Sequence, residues 1–131
     1  MCGIIGVSGV PDAARVAHLG LYSLQHRGQE SAGMVTVDGA GVARSHRGMG
    51  LVSDVFSESV LGGLAGDVAI GHTRYSTAGS SVLANAQPIL AGYHEGPLAL
   101  AHNGNLTNAE ALRSDLVAKG SIFQTRRTVK S

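Results

Sequence analysis

Cys2 is the sole cysteine of a 131-residue chain, and its position gives it chemistry that an internal thiol lacks. A small second residue favours removal of Met1, which would leave Cys2 at the head of the chain. Its thiol would then sit beside an α-amine of pKa ~7.7–8.0, against ~10.4 for a lysine side chain. One residue thereby supplies both an attacking sulfur and a proton acceptor, as N-terminal nucleophiles do. The plainer reading is a small buried hydrophobe, the role of most unpaired cysteines. A cysteine at position 2 also arises by chance. Lipidation would need an apolar leader ahead of the cysteine, and only Met1 precedes it.

Three further clusters could serve such a nucleophile. Arg74, in His72-Thr73-Arg74-Tyr75, ends an apolar run. Its planar guanidinium suits a bidentate clamp on a carboxylate, or else an ordinary surface ion pair. Asn103-Gly104 follows the apolar run from Leu98 to His102. Asn-Gly is a strong turn dipeptide; the same pair could also aim a side-chain amide and a main-chain N–H at one oxyanion. His26-Arg27-Gly28-Gln29-Glu30 gathers polar groups behind a helical pattern, where His and Arg also complement a helix dipole. Metal chemistry is poorly provided for. The six histidines form no HExxH or i,i+4 pair, and one cysteine excludes a disulfide framework or a Cys-cluster site, so no metal is expected. Gly6-x-x-Gly9 and Gly48-Met49-Gly50 lack the Lys-Ser/Thr of a phosphate loop.

Periodicity and punctuation give the elements that must place these residues. Ile4 to Val10 suits a buried strand. Pro11 and Asp12 open a helix whose apolar side would carry Val16, Leu19 or Gly20, and Leu24, ending near Gly28. Met34 to Val37 and Val42 to His46 read as strands joined by the hairpin signal Asp38-Gly39. Leu51 to Leu61 predicts a short helix, Asp67 to Tyr75 a strand, and Thr77 to Pro88 a polar loop. Leu98 to His102 reads as a buried strand running into Asn103-Gly104-Asn105. Thr107-x-x-Glu110 is a capping box for a helix over Asn108 to Lys119, stopped by Gly120. Strand-rich segments with few helices predict packed sheet and helix layers, not a doubly wound parallel sheet.

Composition narrows the function classes. The length fits one domain or part of one. A formal net charge of +1 excludes the strongly basic face of a generic nucleic-acid binder. With 44% hydrophobic and 15% charged residues, the chain is not a disordered tail. No apolar run approaches the ~18 residues of a membrane helix, and no secretory signal pattern is present, so a cytoplasmic protein is expected. The 19 glycines are about twice the ordinary ~7% usage and fall in or beside apolar runs, which suggests tight turns and close backbone approach.

Four ordered segments carry a family resemblance. They are Met1-Cys2-Gly3-Ile4-Ile5-Gly6, Leu24 to Gly33 (LQHRGQESAG), Gly71 to Gly79 (GHTRYSTAG) and Ala101 to Asn108 (AHNGNLTN). Together they resemble the N-terminal class II glutamine amidotransferase domain of the amidophosphoribosyltransferase (glutamine phosphoribosylpyrophosphate amidotransferase) family. Residues 1–125 bear the likeness. Related amidotransferases such as glucosamine-6-phosphate synthase read Tyr-Arg-Gly-Tyr-Asp and Arg-Trp-Ala-Thr-His-Gly at the second and third segments and match less well. The resemblance implies an α+β fold of N-terminal-nucleophile hydrolase type, an αββα sandwich of antiparallel sheets. It implies that Cys2 attacks the glutamine side-chain amide and that Asn103 and Gly104 stabilise the oxyanion. Arg74 would hold the glutamine α-carboxylate, and Arg27 and Thr77 would line the substrate site. In the family, ammonia passes to a C-terminal phosphoribosyltransferase domain and there displaces pyrophosphate, with magnesium, to give 5-phosphoribosylamine in the first step of purine biosynthesis. The implied partners are thus glutamine and, through that other domain alone, phosphoribosyl pyrophosphate, in a homo-oligomer that binds neither nucleic acid nor membrane. No cofactor is implied for residues 1–125.

The chain departs from the family after Thr125. The family continues with a Ser/Thr-Ser-Asp-Ser/Thr-Glu run whose aspartate binds the glutamine α-amino group; here Arg126-Arg127-Thr128-Val129-Lys130-Ser131 follows. Those six residues can be encoded so that one restored nucleotide yields Ser-Ser-Asp-Ser-Glu-Val, which suggests a shifted reading frame. The expected organisation is therefore a partial glutaminase domain over 1–125, incomplete at its C-terminus, a divergent tail over 126–131, and no phosphoribosyltransferase domain. Without the aspartate, little or no glutaminase turnover is expected from the 131 residues alone. The alternative is an inactive truncated product or a non-catalytic interaction module.

Overall fold

In a computed structural model of the chain, residues 2–25, 29–75, 83–104 and 106–122 are described. Four strands form one antiparallel sheet in the order β1-β4-β2-β3: β1 (Gly3–Ser8), β2 (Gln29–Val37), β3 (Ala43–Met49) and β4 (Val68–Tyr75). The central strands β2 and β4 are covered on both faces, which is why they read as continuous runs rather than as alternating ones. β2 starts at Gln29, well before the expected Met34, because its polar first residues are buried as well. The β2–β3 hairpin closes on Asp38, whose Oδ1 accepts from the N–H groups of Ala40 and Val42.

Alternation assigns the two faces of the sheet. Ala32, Met34 and Ala69 point toward α1 (Ala13–Leu24) and pack with Ala13, Ala14, Ala17 and Leu21. The buried side of α1 is thus alanine-lined, and the expected apolar side carrying Val16 and Leu19 faces outward, at 41% and 66% exposure. Small residues win here because they let the helix axis approach the sheet. Gly20, which does belong to the buried side, is where a Cβ would overlap Ile5 of β1. Burying a leucine or methionine such as Leu21 or Met34 stabilises by ~1.5–3 kcal/mol. The predicted helix over Leu51 to Leu61 is two short ones, α2 (Val52–Val55) and α3 (Glu58–Gly63), broken at Phe56-Ser57. Val52, Val55, Phe56, Leu61 and Leu64 extend the same core.

A second, two-stranded antiparallel ribbon pairs β5 (Ile89–Tyr93), which periodicity does not flag, with β6 (Gly96–Leu100). The expectation that Leu98 to His102 is buried is overturned: Leu98 and Leu100 are 54% and 61% exposed. A hydrophobic run marks a surface that can be buried, and among the described residues nothing packs over this one. The last helix, α4 (Ala109–Ala118), likewise buries no residue. Its N-cap is Asn108 and makes no side-chain cap, so the Thr107–Glu110 capping box does not form. Gly120, at φ +94°, does end it: its N–H donates to Val117 O and that of Ser121 to Leu116 O. The divergent tail 126–131 lies outside the described residues.

Candidate active site

The first requirement is that Cys2 be held still. Gly3 pairs with Thr73 across β1 and β4, and its N–H donates to Thr73 Oγ1 at 3.1 Å. The fit leaves no room for a side chain, since a Cβ on Gly3 would come to 2.7 Å from that oxygen and 2.9 Å from Leu24 Cβ. Thr73 and Gly3 therefore face α1, and alternation turns Cys2 to the other side of the sheet. Continuing the register by one residue sets Cys2 opposite Arg74. Cys2 is half-buried, and its Sγ lies 3.8 Å from the Tyr75 carbonyl oxygen.

Arg74 shares that face and is 7% exposed. Its Nη1 donates to the Asn85 carbonyl at 2.9 Å, and its Nε lies 3.9 Å from Glu30 Oε2. A buried guanidinium needs such partners. It stands as a fixed positive charge beside the cysteine rather than as a solvated surface arginine.

The Asn103-Gly104 pair arrives from the ribbon. Asn103 Nδ2 donates to the main-chain oxygen of Cys2 at 3.1 Å, a contact between residues 101 apart in sequence. Gly104 takes φ +142°, a conformation open to glycine and strained for other residues. A carboxamide thus stands against the main chain of the half-buried cysteine, with a glycine next to it in the chain. The structure sets Cys2 opposite Arg74 and bonds Asn103, next to Gly104, to the Cys2 main-chain oxygen; Arg27 and Thr77 lie outside the described residues. No group of three or more His, Cys, Asp or Glu among the described residues could hold a metal.

Two residues that support the site carry no such signal in the sequence. Thr73, inside a segment already singled out, fixes Gly3 through its hydroxyl. Gln87, 3% exposed, accepts from the N–H of His102 through Oε1 at 2.6 Å. Its only sequence signal is a polar residue beside Pro88 at the head of an apolar run.

Comparison with known proteins decides the lineage. No family model matches the chain. The chain is 57% identical over 124 residues to amidophosphoribosyltransferase 2, chloroplastic, of Arabidopsis thaliana, covering 95% of this chain and 22% of the relative. Among solved structures, it matches the glutamine phosphoribosylpyrophosphate amidotransferase of B. subtilis, complexed with ADP and GMP, at 45% identity and a TM-score of 0.84. The chain corresponds to the N-terminal part of the amidophosphoribosyltransferases. A structure described as the allosteric regulatory enzyme of purine biosynthesis matches at 47% identity and a TM-score of 0.88. Each of the two structures is matched over 95% of this chain, so the α+β fold is that of the amidotransferase glutaminase domain. The chain spans about a quarter of the length of these amidophosphoribosyltransferases. No described helix is long and apolar enough to cross a membrane.

Proposed function

We propose that the chain carries the nucleophile and oxyanion half of a glutamine-hydrolysing site. The contact from Asn103 Nδ2 to the Cys2 carbonyl supports this reading more than any other observation. Removal of Met1 frees the Cys2 α-amine, which takes the thiol proton as sulfur attacks the glutamine side-chain carbonyl carbon. Negative charge builds on the carbonyl oxygen, and the Asn103 carboxamide turns to it beside the Gly104 N–H. The C–N bond breaks, the α-amine returns its proton to the leaving nitrogen as ammonia, and a thioester remains. Water then attacks the thioester, giving glutamate and restoring the thiol. Arg74 holds the α-carboxylate of glutamine, and Arg27 and Thr77 line the same site.

In this reading the ammonia serves a phosphoribosyl-transfer domain in the length the relatives have beyond this match. There it displaces pyrophosphate from C1 of phosphoribosyl pyrophosphate, with magnesium, to give 5-phosphoribosylamine. A cytoplasmic, homo-oligomeric enzyme belongs to the same proposal, although five plant relatives are named as chloroplastic. So does the division at residue 125, with 126–131 read from a shifted frame; genomic codons incompatible with Ser-Ser-Asp-Ser-Glu-Val would refute that division.

The test is capture by a chloroketone in which chloromethyl ketone replaces the glutamine amide, so that sulfur displaces chloride while the ketone oxygen occupies the oxyanion position. Intact mass should show loss of Met1 and one adduct, absent in Cys2→Ala and suppressed by glutamine. Retained Met1, or capture that glutamine does not slow, would refute the reading. A second reading, a non-catalytic chain, draws on exposed Leu98, Leu100, Leu112 and Leu116, which suit a surface that binds rather than turns over.

A further inference from the structure

Asn103 and Gly104 lie on a segment that has already left the β5–β6 ladder. The last pair of that ladder is Ile89 with Leu100. Continuing the register by two residues would set Gln87 opposite His102, the residue just ahead of Asn103. The main-chain oxygen of Gln87 is not available for that pairing. It is turned to the large sheet, where a Cβ on Gly33 would overlap it. The side chain takes its place: Gln87 Oε1 accepts from the His102 N–H at 2.6 Å.

The loop that carries Gln87 is itself pinned. Arg47 of β3 donates from Nη1 to the Ala86 carbonyl at 2.8 Å, and Arg74 of β4 donates to the Asn85 carbonyl at 2.9 Å. These strands flank β2, and Gly33 leaves the gap into which the loop settles. Ala86 and Gln87 are 0% and 3% exposed. The sheet that holds Cys2 thus also holds the acceptor that fixes the residue before Asn103.

We propose that Gln87 is a positioning residue, whose Oε1 sets Asn103 and Gly104 against Cys2 by holding the His102 N–H. The inference rests on the reading of Asn103 and Gly104 as oxyanion donors. Gln87 touches neither substrate nor sulfur in it. Its carboxamide oxygen is the acting group, so glutamate, which keeps an acceptor oxygen of the same reach, should substitute where leucine does not.

The test uses the full 131-residue chain, with amide exchange at His102 and the Asn103 side-chain resonance followed by nuclear magnetic resonance. In the unsubstituted chain and in Gln87→Glu, the His102 amide should be protected and the Asn103 carboxamide shifted by its bond to Cys2. Gln87→Leu should speed His102 exchange by about tenfold or more, the scale of one lost hydrogen bond. It should also return Asn103 to a free-amide position and slow chloroketone capture, with iodoacetamide alkylation of Cys2 unchanged. A His102 amide that exchanges freely in the unsubstituted chain overturns the proposal whether or not the leucine variant folds. So does a Gln87→Glu chain that behaves like Gln87→Leu. If glutamine fails to slow chloroketone capture while Gln87→Leu still moves His102 and Asn103, the glutaminase reading falls and the positioning link stands.

Discussion

Asn103 reaches 101 residues back to the main-chain oxygen of Cys2, and that 3.1 Å hydrogen bond joins the two ends of the site. A donor that already points at the backbone of the nucleophile needs only a side-chain rotation to reach the oxyanion on the carbon that the sulfur attacks. Asn103→Ala should therefore slow chloroketone capture by roughly 10²–10³-fold, the usual effect of deleting one oxyanion donor. Alkylation by iodoacetamide builds no oxyanion and should keep its rate. The ratio of the two rates, read by mass, checks this.

Thr73 anchors the other side of Cys2. Its hydroxyl takes the Gly3 N–H at 3.1 Å in a fully buried position. Thr73→Val keeps the shape and leaves that N–H without an acceptor, which costs ~1–3 kcal/mol. Urea unfolding should show the loss. Thr73→Ser, which retains the oxygen, should recover most of it.

The parts of this site legible in the sequence were those whose chemistry is local. Cys2 announces itself by position, and Asn103-Gly104 by a dipeptide with two uses. Arg74 was readable as a carboxylate clamp or as a surface ion pair, and its burial near Glu30 removes only the surface part of the second. Gln87 was illegible because its role comes from a pairing between two elements, β5 and β6, only one of which periodicity reveals. The inner side of α1 was misjudged for a related reason. Hydrophobicity favours Val16 and Leu19, whereas contact with the sheet selects the small residues Ala13, Ala14, Ala17 and Gly20. The capping box failed because Asn108, one residue later than Thr107, took the cap position.

Arg74 is committed on two sides, to Asn85 O at 2.9 Å and toward Glu30 at 3.9 Å. Lysine offers one compact ammonium in place of a planar fork and cannot give a substrate carboxylate the same bidentate grip while holding the carbonyl. Arg74→Lys should raise the chloroketone concentration for half-maximal capture more than it lowers the maximal rate. Equal loss in both, with His102 exchange accelerated, would make Arg74 a clamp on the loop and not a carboxylate holder.

The β2–β3 hairpin carries a pH dependence of known sign. The hydrogen bond from Arg44, then those from Val42 and Ala40, hold the Asp38 carboxyl below its usual range. A depressed folded pKa stabilises above the unfolded value of ~3.9 and is lost as pH falls through the folded one. Asp38→Asn should thus lower the melting temperature at pH 7, and the gap to the unsubstituted chain should close as the pH falls below ~3.9. The Asp38 and Arg44 side chains are 25% and 38% exposed, so salt should also narrow the gap at pH 7.

The ribbon and α4 hold apolar side chains that the four-stranded sheet does not cover. Leu98 and Leu100 on β6 are 54% and 61% exposed, and Leu112 and Leu116 on α4 are each 42% exposed. Side chains already in water lose little when made polar, while exposed leucines promote association. Leu98→Lys combined with Leu116→Lys should therefore raise the concentration at which the 131-residue chain stays monomeric in light scattering. It should leave the unfolding free energy measured in urea within about 0.5 kcal/mol of the unsubstituted chain for each change. A large fall in that free energy would mean that these leucines are buried in solution.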